Sequence, residues 1–260
     1  MRLGSLCSGY GALEAGIGQV LDIEPVWCSE IDKDASKVLA THHPDVPNLG
    51  DLTVLDWHQV EPVDIICGGF PCQPFSHAGK RQGADDDRAI FSYIADGISV
   101  LRPRLVVLEN VAAITTLGGP AIIAALTQVG YHCRWGVVRA SDAGAPHRRA
   151  RWWCVAAPAD ASDRFRSRTV ARPLWPESGN GAERFGVYQP AIQRWSGQIG
   201  RRAPDPLDGD GRLSPHFVEW MMGLDQGYIC DVGLSRTAAL RLLGNGVVPA
   251  QPALAVDLLL

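Results

Sequence analysis

Short apolar runs alternate with helix-length amphipathic stretches through the first 157 residues, and this alternation confines the fold more than any other feature of the chain. Arg2–Leu6 is a short strand running into a glycine turn at Ser8–Gly11, and Ala12 to Val20 carries a helical pattern. Pro25–Ser29 is the next strand, and Asp32 is placed to cap a helix that reaches His42. Val63-Asp-Ile-Ile-Cys67 and Leu105–Leu108 are short β-branched or apolar runs, as expected of parallel strands buried on both faces. A helix at Ile90–Leu101 lies between them and stops ahead of Pro103, and Tyr131–Arg139 with Arg151–Ala157 reads as a later strand pair. Alternation of this kind predicts a layered α/β sheet.

The texture changes near Pro158. Residues 158–211 are rich in Arg, Pro, Gly, Asp and Ser and show no sustained period, although Trp175, Phe185, Tyr188 and Trp195 imply some packing. Order returns with a helix at Ser214–Met222, capped by Ser214 with Pro215 in its first position, and with a last helix at Pro249–Leu260. The charge is uneven in the same way. Residues 132–202 carry 13 Lys+Arg against 5 Asp+Glu, while the remainder carries 11 against 23, so an acidic body bears one basic segment suited to a polyanion. No apolar run suggests a membrane span, the first residues do not read as a signal peptide, and seven scattered cysteines suggest neither a disulfide framework nor a zinc site. A cytoplasmic, metal-free protein is the expectation.

Two places carry chemistry. The turn Ser8-Gly-Tyr-Gly11 lies where an α/β sheet holds a nucleotide-type ligand. Glu30, at the end of the second strand, is placed for two ribose hydroxyls, and Asp51, where a third strand would end, is placed for an adenine amino group. The dinucleotide fingerprint and the P-loop are both incomplete, which favours an adenosine ligand with no phosphate to cradle. The second place is the loop Gly68-Gly-Phe-Pro-Cys-Gln-Pro-Phe-Ser76. A cysteine held between prolines at the carboxyl end of a strand is kept off the core, as a nucleophilic thiol requires, and Cys72 is that residue.

This loop resembles the catalytic loop of the cytosine-5 DNA methyltransferases of bacterial and bacteriophage modification systems. Glu109-Asn-Val111 resembles the Glu-Asn-Val motif of that family, and His147-Arg-Arg-Ala-Arg151 its Gln-x-Arg-x-Arg motif. Gly244-Asn-Gly-Val247 is similar to its Gly-Asn-Ser-Val motif, and Arg212–Pro215 with Met222–Leu224 to the stretch before it. The resemblance implies the doubly wound, Rossmann-like fold of S-adenosylmethionine-dependent methyltransferases. Its catalytic domain would span 1–157 and be completed by 212–260, with a small target-recognition region at 158–211. It implies that Cys72 attacks carbon 6 of a flipped-out cytosine, that Glu109 is the acid at ring nitrogen 3, that Arg151 binds oxygen 2 and that Arg149 orients the base. The cofactor, S-adenosyl-L-methionine, would lie on Ser8, Gly9, Tyr10, Gly11, Glu30, Ile31, Asp51, Leu52, Pro71, Asn245 and Val247. Double-stranded DNA would meet Ser76, Lys80 and Arg88, and the recognition region would add Arg164, Arg166 and Arg168.

Three positions depart from the pattern. Cys7 stands where the family places an aromatic ring, so adenine is expected to rest on Asp51 and apolar packing, with Ile31 as the opposite wall. His147 replaces the Gln, as a hydrogen-bonding substitute, and Gly246 replaces the Ser. A monomer is expected, working alone or beside a cognate restriction endonuclease. Two other classes share the pattern: an RNA cytosine methyltransferase and a non-catalytic relative that keeps the fold.

Overall fold

Consecutive residues of the central strands are apolar, so each strand feeds two cores at once. In the computed structural model, which describes residues 1–71, 87–160 and 184–260 (side chains of 87–89 excepted), six strands form one sheet in the order β2-β1-β3-β4-β6-β5. They are β1 (Arg2–Leu6), β2 (Glu24–Ser29), β3 (Ile65–Gly69), β4 (Leu105–Val111), β5 (Tyr131–Arg139) and β6 (Ala150–Pro158). The first four are mutually parallel, and β6 is inserted antiparallel between β4 and β5. Ile65, Cys67, Leu105, Val107, Trp153 and Val155 face one core, while Ile66, Val106, Leu108, Trp152 and Cys154 face the other.

Helices cover both faces, as the doubly wound reading expects. Residues of α1 (Ala12–Ile17), α2 (Lys33–His42), α6 (Gln189–Ile199), α7 (Pro215–Met221), α8 (Arg236–Asn245) and α9 (Ala250–Leu259) join the first core. Those of α3 (Asp87–Leu101), α4 (Ile114–Leu117) and α5 (Gly119–Gln128) join the second. The caps behave as the sequence implies: Asp32 accepts from the N–H groups of Asp34 and Ala35, and Ser214 from Phe217. Each such cap is worth about 1 kcal/mol. The last helix returns onto the first part of the chain, against α1 and β5.

Some expectations fail for local reasons. Helix α1 ends at Ile17 and gives way to turns before Val20. No strand ends at Asp51. The preceding segment touches β2 through a single bridge, Cys28 to Asn48, because Pro47 lacks an N–H and Gly50 turns left-handed at φ 74°. The Asn48 side chain instead bonds the backbone of Glu30 and Gly50. Within 158–211, the described part contains α6, whose Ile192 and Trp195 are buried in the first core. Trp195 donates its indole N–H to the Trp220 carbonyl at 2.9 Å. Arg236–Leu259 forms one apolar stretch of 24 residues, but it is two ten-residue helices parted after Asn245. Ten residues span about 15 Å, half of a bilayer core.

Candidate active site

The chain leaves β1 towards β2 on one side and leaves β3 towards β4 on the other, so the carboxyl ends of β1 and β3 open a crevice between them. A cleft of about 440 Å³ occupies it. The glycine turn forms one wall. Cys7, Gly9 and Gly11 have positive φ values of 50°, 57° and 85°, which fold the turn tightly enough for Gly11 N–H to reach the Ser8 carbonyl at 3.0 Å. Glu30 stands at the end of β2, where its Oε2 accepts from Gly9 N–H at 2.7 Å and its Oε1 from Asp32 N–H at 2.8 Å. Each oxygen keeps a second lone pair, and Glu30 lines the cleft.

Ser8, Gly9, Tyr10, Glu30, Pro71, Asn245 and Val247 therefore come together at one cleft, as the sequence implies. Gly11, Ile31, Asp51 and Leu52 are not among its lining residues. Leu52 is buried in the second core, and Ile31 is 72% exposed. Asp51 is exposed and caps a short turn of helix, accepting from Thr53 N–H at 2.9 Å and Thr53 Oγ1 at 2.7 Å, which holds its carboxyl below the usual range. It still lies close enough to act on Cys7, whose thiol is pushed up to about 12 by burial first and then by Glu30 and Asp51. Trp27 packs in the second core and does not line the cleft. Phe70, which does line the cleft, was passed over in sequence as part of the cysteine loop.

The catalytic candidates stand at the far end of the same cleft. β4 and β6 run antiparallel, with Glu109 opposite Trp153 and Val111 opposite Arg151, so two residues of sequence offset bring Glu109 and Arg151 side by side. Arg151 Nε meets Glu109 Oε1 at 2.8 Å, with the side chains 15% and 11% exposed. Gly69 admits this carboxylate: a Cβ there would stand 3.0 Å from Glu109 Oε2. Burial raises the Glu109 carboxyl to about 7, against the opposing pull of Arg151 and Arg149. Asn110 is buried beside it and donates to the Phe70 carbonyl at 3.0 Å, tying β4 to the residue that precedes Pro71 and Cys72.

Arg149 is not among the residues that line the cleft. Its Nη2 donates to the carbonyls of Gly244, at 2.7 Å, and Gly246, so it grips the loop that carries Asn245. Desolvation lowers this guanidinium to about 10. His147, half-buried, has its Nε2 3.2 Å from the Met221 carbonyl. Arg241 was missed altogether. It pairs with both oxygens of Asp32 at 2.6 and 3.1 Å and with Asp34 at 2.7 Å, joining α8 to the start of α2 at the rim of the cleft. An Asp-x-Asp pair at a helix start is the sequence signal, but its partner lies 209 residues away.

Cys72, Ser76, Lys80, Arg164, Arg166, Arg168 and the side chain of Arg88 lie outside the described residues. Among the described residues, His216, Glu219 and Cys230 bring three ligand-type atoms within 4.8 Å of one another. The Glu219 oxygens there already accept from the N–H groups of Gly227, Ile229 and Cys230, so this carboxylate organises the turn after α7.

The profile of the family described as C-5 cytosine-specific DNA methylase matches residues 1–190. The chain is 32% identical over 215 residues to Type II methyltransferase M1.ScrFI of Lactococcus lactis subsp. cremoris, a match covering 79% of this chain and 55% of that protein. It is also 32% identical over 226 residues to Type II methyltransferase M.NaeI of Lentzea aerocolonigenes, covering 78% and 51%. The chain thus spans about half the length of these relatives. Among solved structures, DNMT2 of Spodoptera frugiperda superposes with a TM-score of 0.72 at 18% identity, covering 98% of both chains. Dnmt2 of S. pombe gives 0.70 at 16% identity, covering 99% and 98%. The fold is that of an α/β methyltransferase, and by sequence the chain belongs to the C-5 cytosine-specific DNA methylase family.

Proposed function

We propose that this chain is a DNA cytosine-5 methyltransferase that uses S-adenosylmethionine, with Cys72 as nucleophile and Glu109 as the acid. The observation that carries the reading is the buried Glu109–Arg151 pair at the switch-point cleft, 2.8 Å apart, with the Glu109 carboxyl near 7. A carboxyl at that value is available in its protonated form at neutral pH, as a general acid must be.

The cleft fits the cofactor. The Ser8 hydroxyl is buried with no partner, a Cβ on Gly9 would meet nothing within 4 Å, and the Glu30 carboxylate keeps lone pairs for two hydroxyls. Ser8, Gly9, Glu30, Pro71, Asn245 and Val247, which line the cleft, would hold it. When bound, S-adenosylmethionine supplies an electrophilic methyl group. The protein's own part is to make cytosine carbon 5 nucleophilic. Cys72 adds its thiolate sulfur to carbon 6, and the electron pair displaced from the 5,6 double bond is drawn towards ring nitrogen 3. Glu109 holds a proton at that nitrogen and neutralises the charge that develops there. Arg151 fixes the Glu109 carboxyl through Nε, donates through Nη1 to the Ala150 carbonyl at 3.1 Å, and keeps Nη2 for the cytosine oxygen 2. Glu109 is 9% exposed, so the base must leave its stack to reach it.

The basic segment supports a polyanionic substrate, and Arg164, Arg166 and Arg168 belong to it. Arg149 takes a supporting part, holding the Asn245 loop against the cleft. The test is transfer of a labelled methyl group from S-adenosylmethionine to duplex DNA and, in parallel, to RNA. Label on cytosine carbon 5 of DNA is expected. Label on RNA alone, or on neither, overturns the reading.

A further inference from the structure

Gly246 lies in the loop between α8 and α9, with φ −70° and ψ −170°, a backbone conformation open to any residue. The backbone does not demand glycine there. Space does. A Cβ on residue 246 would stand 2.1 to 2.2 Å from Cε1, Cζ and Oη of Tyr10. That ring cannot swing aside freely, because Tyr10 is 2% exposed and its hydroxyl donates to the Val247 carbonyl at 3.0 Å. Its own carbonyl accepts from the Tyr228 hydroxyl at 3.0 Å, and the Tyr228 ring is stacked on His42 with centroids 3.9 Å apart. The glycine turn and the 244–247 loop are therefore pinned together by a buried tyrosine. Arg149 also holds this loop, through the carbonyls of Gly244 and Gly246. Asn245, between these anchors, lines the cleft.

We infer that Tyr10 is a positioning residue for the Asn245 wall of the cleft, and that Tyr10 and Gly246 are a matched pair in which the ring fills the volume a side chain at 246 would take. Serine at 246 is admitted only when residue 10 is smaller. Leucine at position 10 ends before the ring atoms that meet residue 246, so it empties that volume. The inference rests on the cleft being the S-adenosylmethionine site, and the experiment separates the two.

Calorimetry with S-adenosylhomocysteine is run on the wild type, Gly246→Ser, Tyr10→Leu, the double variant and Tyr10→Phe, with thermal unfolding alongside. Gly246→Ser is expected to lose at least tenfold in affinity. The same serine in the Tyr10→Leu chain is expected to cost less than twofold, and to leave the unfolding midpoint of that chain unchanged. Tyr10→Phe keeps the ring but leaves the Val247 carbonyl without its donor, so KM for S-adenosylmethionine should rise severalfold with kcat unaltered. If serine at 246 is equally harmful in both backgrounds, or harmless in both, the pairing is overturned. If Tyr10→Phe matches the wild type in KM, the positioning role is overturned even where Gly246→Ser fails to fold. A wild type that does not bind S-adenosylhomocysteine overturns the cofactor reading and, with it, the positioning role, while the unfolding midpoints still decide the pairing.

Discussion

Arg151→Met removes the guanidinium that meets Glu109 while keeping most of the apolar length of the side chain. In the wild type the two groups are 2.8 Å apart and almost buried, and the Glu109 carboxyl sits near 7 against an ordinary 4.5. A folded-state value raised in this way means that the protonated carboxyl favours the fold. That contribution is complete below about 4.5 and is lost as pH rises to about 7. Above this point the wild type loses no more, because Glu109 is then ionised in the folded chain as well. Without Arg151 the folded-state value moves further up, so the variant goes on losing stability where the wild type has levelled. At pH 8.5 the wild type is roughly 1.5 pH units past its Glu109 value, which at about 1.36 kcal/mol per unit amounts to about 2 kcal/mol. The variant, whose Glu109 stays protonated further up, loses up to this much more than the wild type over that interval. Urea unfolding of both proteins at pH 5.5 and 8.5 measures this directly, and any group that titrates alike in both cancels. The deficit of the variant should be larger at pH 8.5, by up to about 2 kcal/mol. An equal deficit at the two pH values refutes the argument that Arg151 holds a buried, titrating Glu109.

Three further outcomes follow from other groups. Glu14 is buried in α1 with Oε2 unpartnered, and burial raises its carboxyl to about 7, so Glu14→Gln should gain about 3 kcal/mol relative to the wild type between pH 4.5 and 8 in the same unfolding assay. Arg241→Ala cuts the tie between α8 and α2; because the pair is 43% and 33% exposed, stability should fall by less than about 1 kcal/mol while S-adenosylhomocysteine affinity, read by calorimetry, falls severalfold. Replacing Arg164, Arg166 and Arg168 with alanine should weaken DNA binding and flatten its salt dependence, by about 0.9 in the log–log slope for each phosphate no longer neutralised, with cofactor affinity unmoved.

What the sequence made legible was whatever is written in neighbouring residues. The Asp32 cap, the strand at Leu105–Leu108 and the pair read at Tyr131–Arg139 and Arg151–Ala157 stand within a few residues of where their local patterns imply, while the run read at Val63–Cys67 enters the sheet only at Ile65. Glu30, Glu109 and Arg151 line one cleft for the same reason, since each lies at or beside the end of a strand. What was missed depends on partners distant in the chain. The grip of Arg149 on the carbonyls of Gly244 and Gly246, nearly a hundred residues on, leaves no local mark in the sequence. Asp51 looked like a strand end because Pro47 and Gly50 act on the backbone, where apolar periodicity does not register them. Helix α6 was hidden by its arginine-rich flanks, although Ile192 and Trp195 are spaced to share a face.

Methylation of cytosine in DNA through Cys72 is the proposed reaction. Bisulfite sequencing of DNA from cells expressing the wild type and Cys72→Ser tests it most directly, since a hydroxyl is a weak nucleophile at neutral pH. Protected cytosines at one recurring sequence context are expected with the wild type, and none with Cys72→Ser at matched protein levels. Unprotected cytosines throughout the wild-type sample, or equal protection by the Cys72→Ser protein, would contradict it.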